Sequence, residues 1–166
     1  MKFVLIDRIR ELEPGRRIVA SKALSLAEEY LADHFPTFPV LPGVLMLEAM
    51  VQASAWLARA SLGFSPAFVL LRDARNVTYK SFVAPGQVLT IESTVRELDA
   101  AQSVFQAWGH VDGREMVKGR LTLRHLNLAD SDPQMAAVDD RTRGRMRSLF
   151  ELLSRGCATA AAASVV

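Results

Sequence analysis

The sequence predicts an α+β fold in which a curved antiparallel β-sheet wraps one central apolar helix, and three observations lead there. Residues 43–62 have a helical composition but carry apolar side chains on nearly every face (Val44, Leu45, Leu47, Met50, Val51, Trp56 and Leu57), so other elements must cover this helix all round. Beyond Gly63 the hydrophobic period becomes two. Leu89, Ile91, Ser93 and Val95 alternate with Thr90, Glu92, Thr94 and Arg96, as on a sheet with one buried and one wet face. Val117, Gly119, Leu121 and Leu123 alternate in the same way with Lys118, Arg120, Thr122 and Arg124. Runs of strands around one all-apolar helix leave few packings, and a sheet curved about that helix buries every apolar face at once.

Taken in order, residues 2–12 and 17–24 read as two strands of a hairpin. Pro14 followed by Gly15 suits a type II turn between them. Residues 27–31 read as a short helix leading into a loop where Pro36, Pro39 and Pro42 forbid regular structure and hold the backbone extended. The long apolar helix follows. Asp112-Gly113, between the runs 102–111 and 114–126, is a strong two-residue hairpin signal. The second half thus reads as an antiparallel meander of about four strands.

Residues 1–128 form the predicted sheet-and-helix domain, and 129–166 a C-terminal extension. In the extension, Asp132-Pro133 suits an N-cap and first helical position, Met146, Leu149, Phe150 and Leu153 share one helical face, and Gly156 suits a helix end. Arg141, Arg143, Arg145 and Arg147 are expected mainly on the solvated face, a reading preferred to a nucleic-acid arm. The alanine-rich tail is expected to fray.

Composition narrows the function. The 166 residues, 50% of them hydrophobic, suit one globular domain with a substantial core. A net charge of +2, from 20 basic and 18 acidic residues spread along the chain, gives no nucleic-acid stripe but is compatible with an acidic carrier protein. The lone Cys157 cannot build a disulfide framework or a thiolate metal cage and fits a reducing cytoplasm. The N-terminus lacks the pattern of a secretion signal, and Pro42, Gly43, Glu48 and Gln52 interrupt the apolar run 40–58 too often for a membrane span.

The chemistry concentrates in residues 34–52, HFPTFPVLPGVLMLEAMVQ, which set one imidazole on a proline-stiffened loop ahead of one carboxylate on an apolar helix. Glu48 is the residue hardest to explain structurally. A buried carboxylate is costly unless protonated or hydrogen-bonded, and burial favours its acid form. Gln52, four residues on, shares its face and can bond to it. A bland alternative pairs Glu48 with a basic residue at a subunit contact. Gly43 opens the helix, where a backbone N–H with the helix dipole behind it suits a carbonyl oxygen gaining negative charge; a tight helix entry after proline explains the same glycine. A histidine base, a carboxylic acid and such an N–H together describe proton abstraction alpha to a carbonyl with loss of a beta substituent, the dehydration of a 3-hydroxyacyl thioester or its reverse. No metal-ligand spacing, phosphate loop, G-x-S-x-G elbow or CxxC pair occurs in the sequence. His110 and His125 fall on predicted strands and read as structural.

The pattern H-F-P-x-x-P-V-x-P-G-V-L-x-L-E-A-M-x-Q at 34–52, with weaker similarity in LIDRIRELEPGRRIVASK before it and YKSFVAPGQVL after it, resembles the bacterial 3-hydroxyacyl-(acyl-carrier-protein) dehydratases of the FabZ type over roughly residues 3–127. The resemblance implies a hot-dog fold, no cofactor, and an obligate homodimer that often assembles as a trimer of dimers. It also implies His34 and Glu48 from opposite subunits, with the acyl chain in a tunnel along their interface. His34 would take the C2 proton and Glu48 protonate the departing hydroxyl. Gly43, Val44 and Gln52 would bind substrate, and Lys80 would lie near the tunnel mouth to meet the carrier; a solvated strand-end lysine is its bland reading.

Several positions depart from the family pattern. Asp33 replaces a glycine and would act on the His34 imidazole if its side chain reached the ring. Thr37-Phe38 replaces glycine-histidine, Phe82 a proline and Gln87 an aspartate; the usual N-terminal helix is missing, and the extension from Ala129 is extra. The extension is expected either to cap the tunnel or to replace the missing helix. Two competing readings remain open in the sequence: a thioesterase on the same fold, and a non-catalytic hot-dog subunit that binds acyl carriers.

Overall fold

A computed structural model describes residues 4–159. Its strands are β1 (Arg8–Glu13), β2 (Arg17–Ala23), β3 (Phe68–Tyr79), β4 (Val88–Leu98), β5 (Gln102–Val111), β6 (Arg114–Leu126) and β7 (Ala158–Thr159), and its helices α1 (Gly43–Ser61) and α2 (Ala136–Leu153). The strands form one sheet in the order β3-β6-β5-β4-β2-β1-β7, antiparallel except where the short β7 runs parallel to β1.

Both predicted turns are present. Gly15 has φ +76° and the Arg16 N–H donates to the Glu13 carbonyl at 2.9 Å, closing the first hairpin. Asp112 and Gly113 have φ +49° and +77°, the doubly left-handed backbone that a two-residue hairpin requires. Ile9, Ile18, Leu89, Ile91, Phe105, Leu121 and Leu123 from the sheet's inner face pack with Met50 and Leu57 of α1, all of them fully buried. Ser54 ties helix to sheet: its hydroxyl donates to the Met50 carbonyl at 2.8 Å, so at its 2.7 Å contact with Ser93 it is the acceptor. A buried hydroxyl needs such partners.

Three expectations need correction. The second-half strands do not pair in sequence order: β4, β5 and β6 form the meander, and β3 lies beyond β6 at the sheet's far edge, from Phe68 opposite Leu126 to Tyr79 opposite Val117. The sheet is continuous from β2 to β4 because α1 and β3 together carry the chain across to the opposite edge and back. Helix α1 is also not covered all round, since Val44 is 69% exposed and Glu48 and Gln52 are only half-buried, leaving one flank open. The loop ahead of α1 is folded rather than extended. Pro36 sits at the second position of a β-turn in which the Phe38 N–H donates to the Phe35 carbonyl at 3.0 Å, a place its fixed φ suits, and the Val40 N–H returns to the His34 carbonyl at 3.1 Å.

The arginine row of the extension divides. Arg141, Arg145 and Arg147 are exposed, as expected, and Arg143 is half-buried. Arg143 and Arg147 also reach back to the domain: Arg143 donates to Asn127 Oδ1 at 2.9 Å and, in the turn after α1, to the Ser65 carbonyl at 3.3 Å, and Arg147 to the Gly63 carbonyl at 2.9 Å. The reason is unsatisfied carbonyls where α1 ends, which attract cations. The other face of α2 packs Phe150 edge-on to Phe64 at 5.2 Å and against Trp56 at 6.0 Å. Asp139, fully buried in the first turn of α2, accepts the Leu128 and Ala129 N–H groups at 3.0 and 2.9 Å. Asp132 caps the 3₁₀ turn Pro133–Met135 that precedes α2, accepting the Gln134 N–H at 3.0 Å, and Gly156 has φ +77° beyond the helix end. The start of the first predicted strand and the alanine-rich tail, residues 1–3 and 160–166, lie outside the described residues.

Candidate active site

Glu48 lies on the open flank of α1, and its carboxylate orientation is built from the chain's start. The Leu5 backbone N–H donates to Gln52 Oε1 at 2.9 Å, which fixes the amide, and Gln52 Nε2 donates to Glu48 Oε1 at 2.9 Å. The i, i+4 spacing that places Gln52 over Glu48 is a property of the helix. Both residues line a cavity of about 400 Å³ with Val4, Val51, Ala55, Trp56 and Val69, and α2 adds Met146, Leu149 and Arg145. The lining is predominantly apolar with a few polar groups, the usual make-up of a small-molecule site.

His34 is held on the turn ahead of α1. Its Nδ1 lies 3.1 Å from the Val40 carbonyl, which can only accept, so a neutral imidazole carries its proton on Nδ1 and leaves the Nε2 lone pair free. That is the form a base needs. The ring stacks on Phe35 at 4.3 Å. Asp33 is exposed and takes no part in this arrangement. Two departures from the family pattern touch each other: Phe38 and Phe82 meet edge to face at 5.8 Å, both exposed, beside the turn that carries His34.

Gly43 begins α1. A methyl group built on its Cα would stand 3.2 Å from the Tyr79 ring, so this glycine permits the helix start to pack directly on the end of β3. Among the described residues the Gly43 and Val44 N–H groups have no acceptor, as expected for the first turn of a helix. Lys80, just past β3, pairs with Glu115 at 2.7 Å, so its charge is partly compensated.

Within one chain, then, Glu48 and Gln52 share one cavity, while His34 and Gly43 are not among the residues that line it. Lys80 and Val44 also lie outside it. Sequence reasoning missed two contributors, the Leu5 amide and Arg59, neither of which carries a local signal of its role; the wall supplied by α2 comes from the extension, for which capping was one of two expectations. Of the histidines read as structural, His125 is buried with Nε2 2.8 Å from Ser103 Oγ, and His110 lies on β5, opposite Thr90 of β4. Burial raises the Cys157 thiol pKa, and the nearby Glu11 adds to the effect. A base with a free Nε2, a carboxyl oriented by an amide, and unpaired N–H groups at a helix start supply the parts for proton abstraction and acid-assisted departure.

Comparison with known proteins gives a consistent picture. The FabA-like domain family matches residues 1–120. A 3-hydroxyacyl-(acyl-carrier-protein) dehydratase FabZ from Aromatoleum aromaticum is 36% identical over 123 residues, covering 72% of this chain and 85% of that protein. FabZ proteins from Variovorax paradoxus and Symbiobacterium thermophilum are 39% and 35% identical, covering 72% and 79% of this chain and 77% and 92% of their own lengths. Among solved structures, the dehydratase heterocomplex ApeI:P from Xenorhabdus doucetiae superposes with a TM-score of 0.65 at 22% identity, over 80% of this chain and 90% of that one. A hypothetical thioesterase with coenzyme A from Streptococcus pneumoniae superposes with a TM-score of 0.53 at 14% identity, over 72% and 85%. At these identities the structures speak to the fold alone.

Proposed function

The chain belongs to the FabA-like family as a FabZ-type hot-dog dehydratase, and on that premise we propose that it converts (3R)-hydroxyacyl-(acyl-carrier-protein) to the trans-2-enoyl product, acting as a hydro-lyase in fatty acid or related acyl-chain synthesis. The observation that carries this reading is the pairing of Glu48 with Gln52 in an apolar cavity, by a chain whose His34 presents a free Nε2.

In the proposed reaction His34 Nε2 takes the C2 proton, and the C–H electron pair becomes the C2–C3 double bond. The C3–O bond breaks as Glu48 gives its proton to the leaving hydroxyl, which departs as water. Charge that builds on the thioester oxygen is met by the Gly43 N–H, with Val44 beside it and the dipole of α1 behind it. Gln52 holds Glu48 and donates to it. Each proton transfer contributes typically about 10²–10⁴-fold. No cofactor enters this scheme.

The two halves of the site come, in this reading, from two copies of the chain. Supporting it, β3 is hydrogen-bonded on one side only among the described residues and exposes Leu70 and Leu71, and the turn carrying His34 exposes Phe35 and Phe38. An edge strand with apolar side chains is a ready partner for its own copy. Such a dimer, alone or as a trimer of dimers, would set His34 of one protomer against Glu48 of the other. Lys80 beside the acyl entrance would meet the acidic carrier. Among the described residues no helix is long and apolar enough to cross a membrane, and the lone thiol suits a reducing cytoplasm, where we place the reaction.

Turnover of a 3-hydroxyacyl carrier substrate by the parent protein, His34→Ala and Glu48→Ala tests the assignment. Enoyl product from the parent, with both variants strongly impaired, is the expected result. Equal turnover by all three would remove it, and release of free carrier thiol would identify a thioesterase instead.

A further inference from the structure

Arg59 lies eleven residues beyond Glu48 on α1, about three turns and therefore on the same flank, roughly 16 Å further along the axis. It lines the same cavity. Its side chain is only 8% exposed, its Nη1 is buried with no hydrogen-bond partner, and no carboxylate pairs with it among the described residues. Burial pushes its pKa down to about 10, so the guanidinium remains charged at neutral pH. A buried cation without a counter-charge is costly, and the lining around it, Ala55, Trp56, Val69, Met146 and Leu149, is apolar. The other cation of the lining, Arg145, adds to the positive charge, while Glu48 stands at the reacting end. Among the described residues Glu48 is the sole acidic side chain of the lining, so the charge of this end of the cavity is complementary to an anionic group.

We propose that Arg59 receives the terminal carboxylate of the acyl chain, making the preferred substrates ω-carboxyacyl thioesters rather than methyl-terminated ones. The inference rests on the reading of Glu48 as the reacting end. An extended chain advances roughly 1.2 Å per bond, so on the order of ten bonds separate the reacting carbons from the carboxylate. The α2 residues that complete this part of the cavity lie beyond the FabA-like match at residues 1–120, so the selectivity would be a property added to the common dehydratase site. An Arg–carboxylate pair is charge-assisted and specific in geometry, which favours arginine at such a place.

Calorimetric binding to the full chain tests this with saturated acyl-pantetheine thioesters of matched length, one ending in a carboxylate and one in a methyl group. The parent should bind the carboxylate-ended ligand about 10- to 100-fold more tightly. Arg59→Met should abolish or reverse the preference, and Arg59→Lys should keep part of it. Equal affinities in the parent, a parent preference for the methyl end, or a carboxylate preference that survives Arg59→Met would overturn the proposal. If an acid from a second copy neutralises Arg59, the parent will show equal affinities, which counts against it. These ligands lack the 3-hydroxyl, so the preference is read independently of dehydration: a parent that shows it yet dehydrates neither 3-hydroxy substrate retains the carboxylate site and loses the proposed reaction.

Discussion

Gln52 and Glu48 form a directed pair: Nε2 of the amide donates to Oε1 of the carboxylate at 2.9 Å, and the Leu5 N–H on the amide oxygen prevents the reverse orientation. Gln52→Leu should therefore lower kcat about 10- to 100-fold, the worth of one hydrogen bond to an ionisable group, and should also cost about 1–3 kcal/mol of stability because the buried Leu5 N–H loses its acceptor. Gln52→Glu would place two carboxyls within bonding distance, so the pair should release its protons in two separated steps and, with Glu48 acting as the acid, the alkaline limb of the pH–rate profile should move to higher pH. Steady-state kinetics across pH for both variants checks this.

The contact between His34 Nδ1 and the Val40 carbonyl selects the tautomer with a basic Nε2. His34→Asn should retain a donor for that carbonyl, leave the circular dichroism spectrum unchanged, and still lose about 10²–10⁴-fold in kcat/KM. A variant within a few-fold of the parent would show that the ring is not the base.

The Glu48–Gln52 hydrogen bond and both hairpin turns were legible because each depends on local rules. Pro14-Gly15 and Asp112-Gly113 state their backbone conformation outright, and Glu48 and Gln52 are four apart on a helix whose surrounding residues are mostly apolar. The position of β3 was not legible, because sheet order depends on long-range pairing that a period-two pattern does not encode. The folded turn at 35–38 was misread because proline forbids helix and strand interiors but favours the second turn position equally. Arg59 was passed over for a related reason: an arginine in the last turn of a helix is favourable to the dipole, and only the packed structure reveals that it is buried without a counter-ion.

Phe150 joins α2 to the domain through Phe64 and Trp56. Phe150→Ala should cost about 2–3 kcal/mol, below the full value for a wholly buried phenylalanine because this one is partly exposed. Since Trp56 lines the Glu48 cavity together with Met146 and Leu149, the same variant should broaden the acyl-chain lengths accepted. Urea unfolding and a chain-length series measure the two effects.

His125 should give stability a pH dependence. Burial is the main cause that lowers its pKa from 6.5, with the Arg59 charge adding a smaller push, while the Ala100 and Asp99 backbone and the Asp99 carboxylate oppose both. The unfolded chain then binds a proton more readily than the folded one, so stability is intact above about pH 6.5 and declines as the pH falls through the window below it. The urea midpoint of the parent should drop more between pH 7.5 and pH 5 than that of His125→Gln; parallel declines would show that another group is responsible.

Subunit mixing tests the central claim most directly. His34→Ala and Glu48→Ala protomers, each inactive alone, are unfolded together and refolded as an equal mixture. If one site draws its base and its acid from two copies, each mixed dimer regains one intact site, and activity should return to about a quarter of the parent's. Activity no greater than that of either variant alone, in a sample shown to contain mixed dimers, would contradict a site shared between two chains.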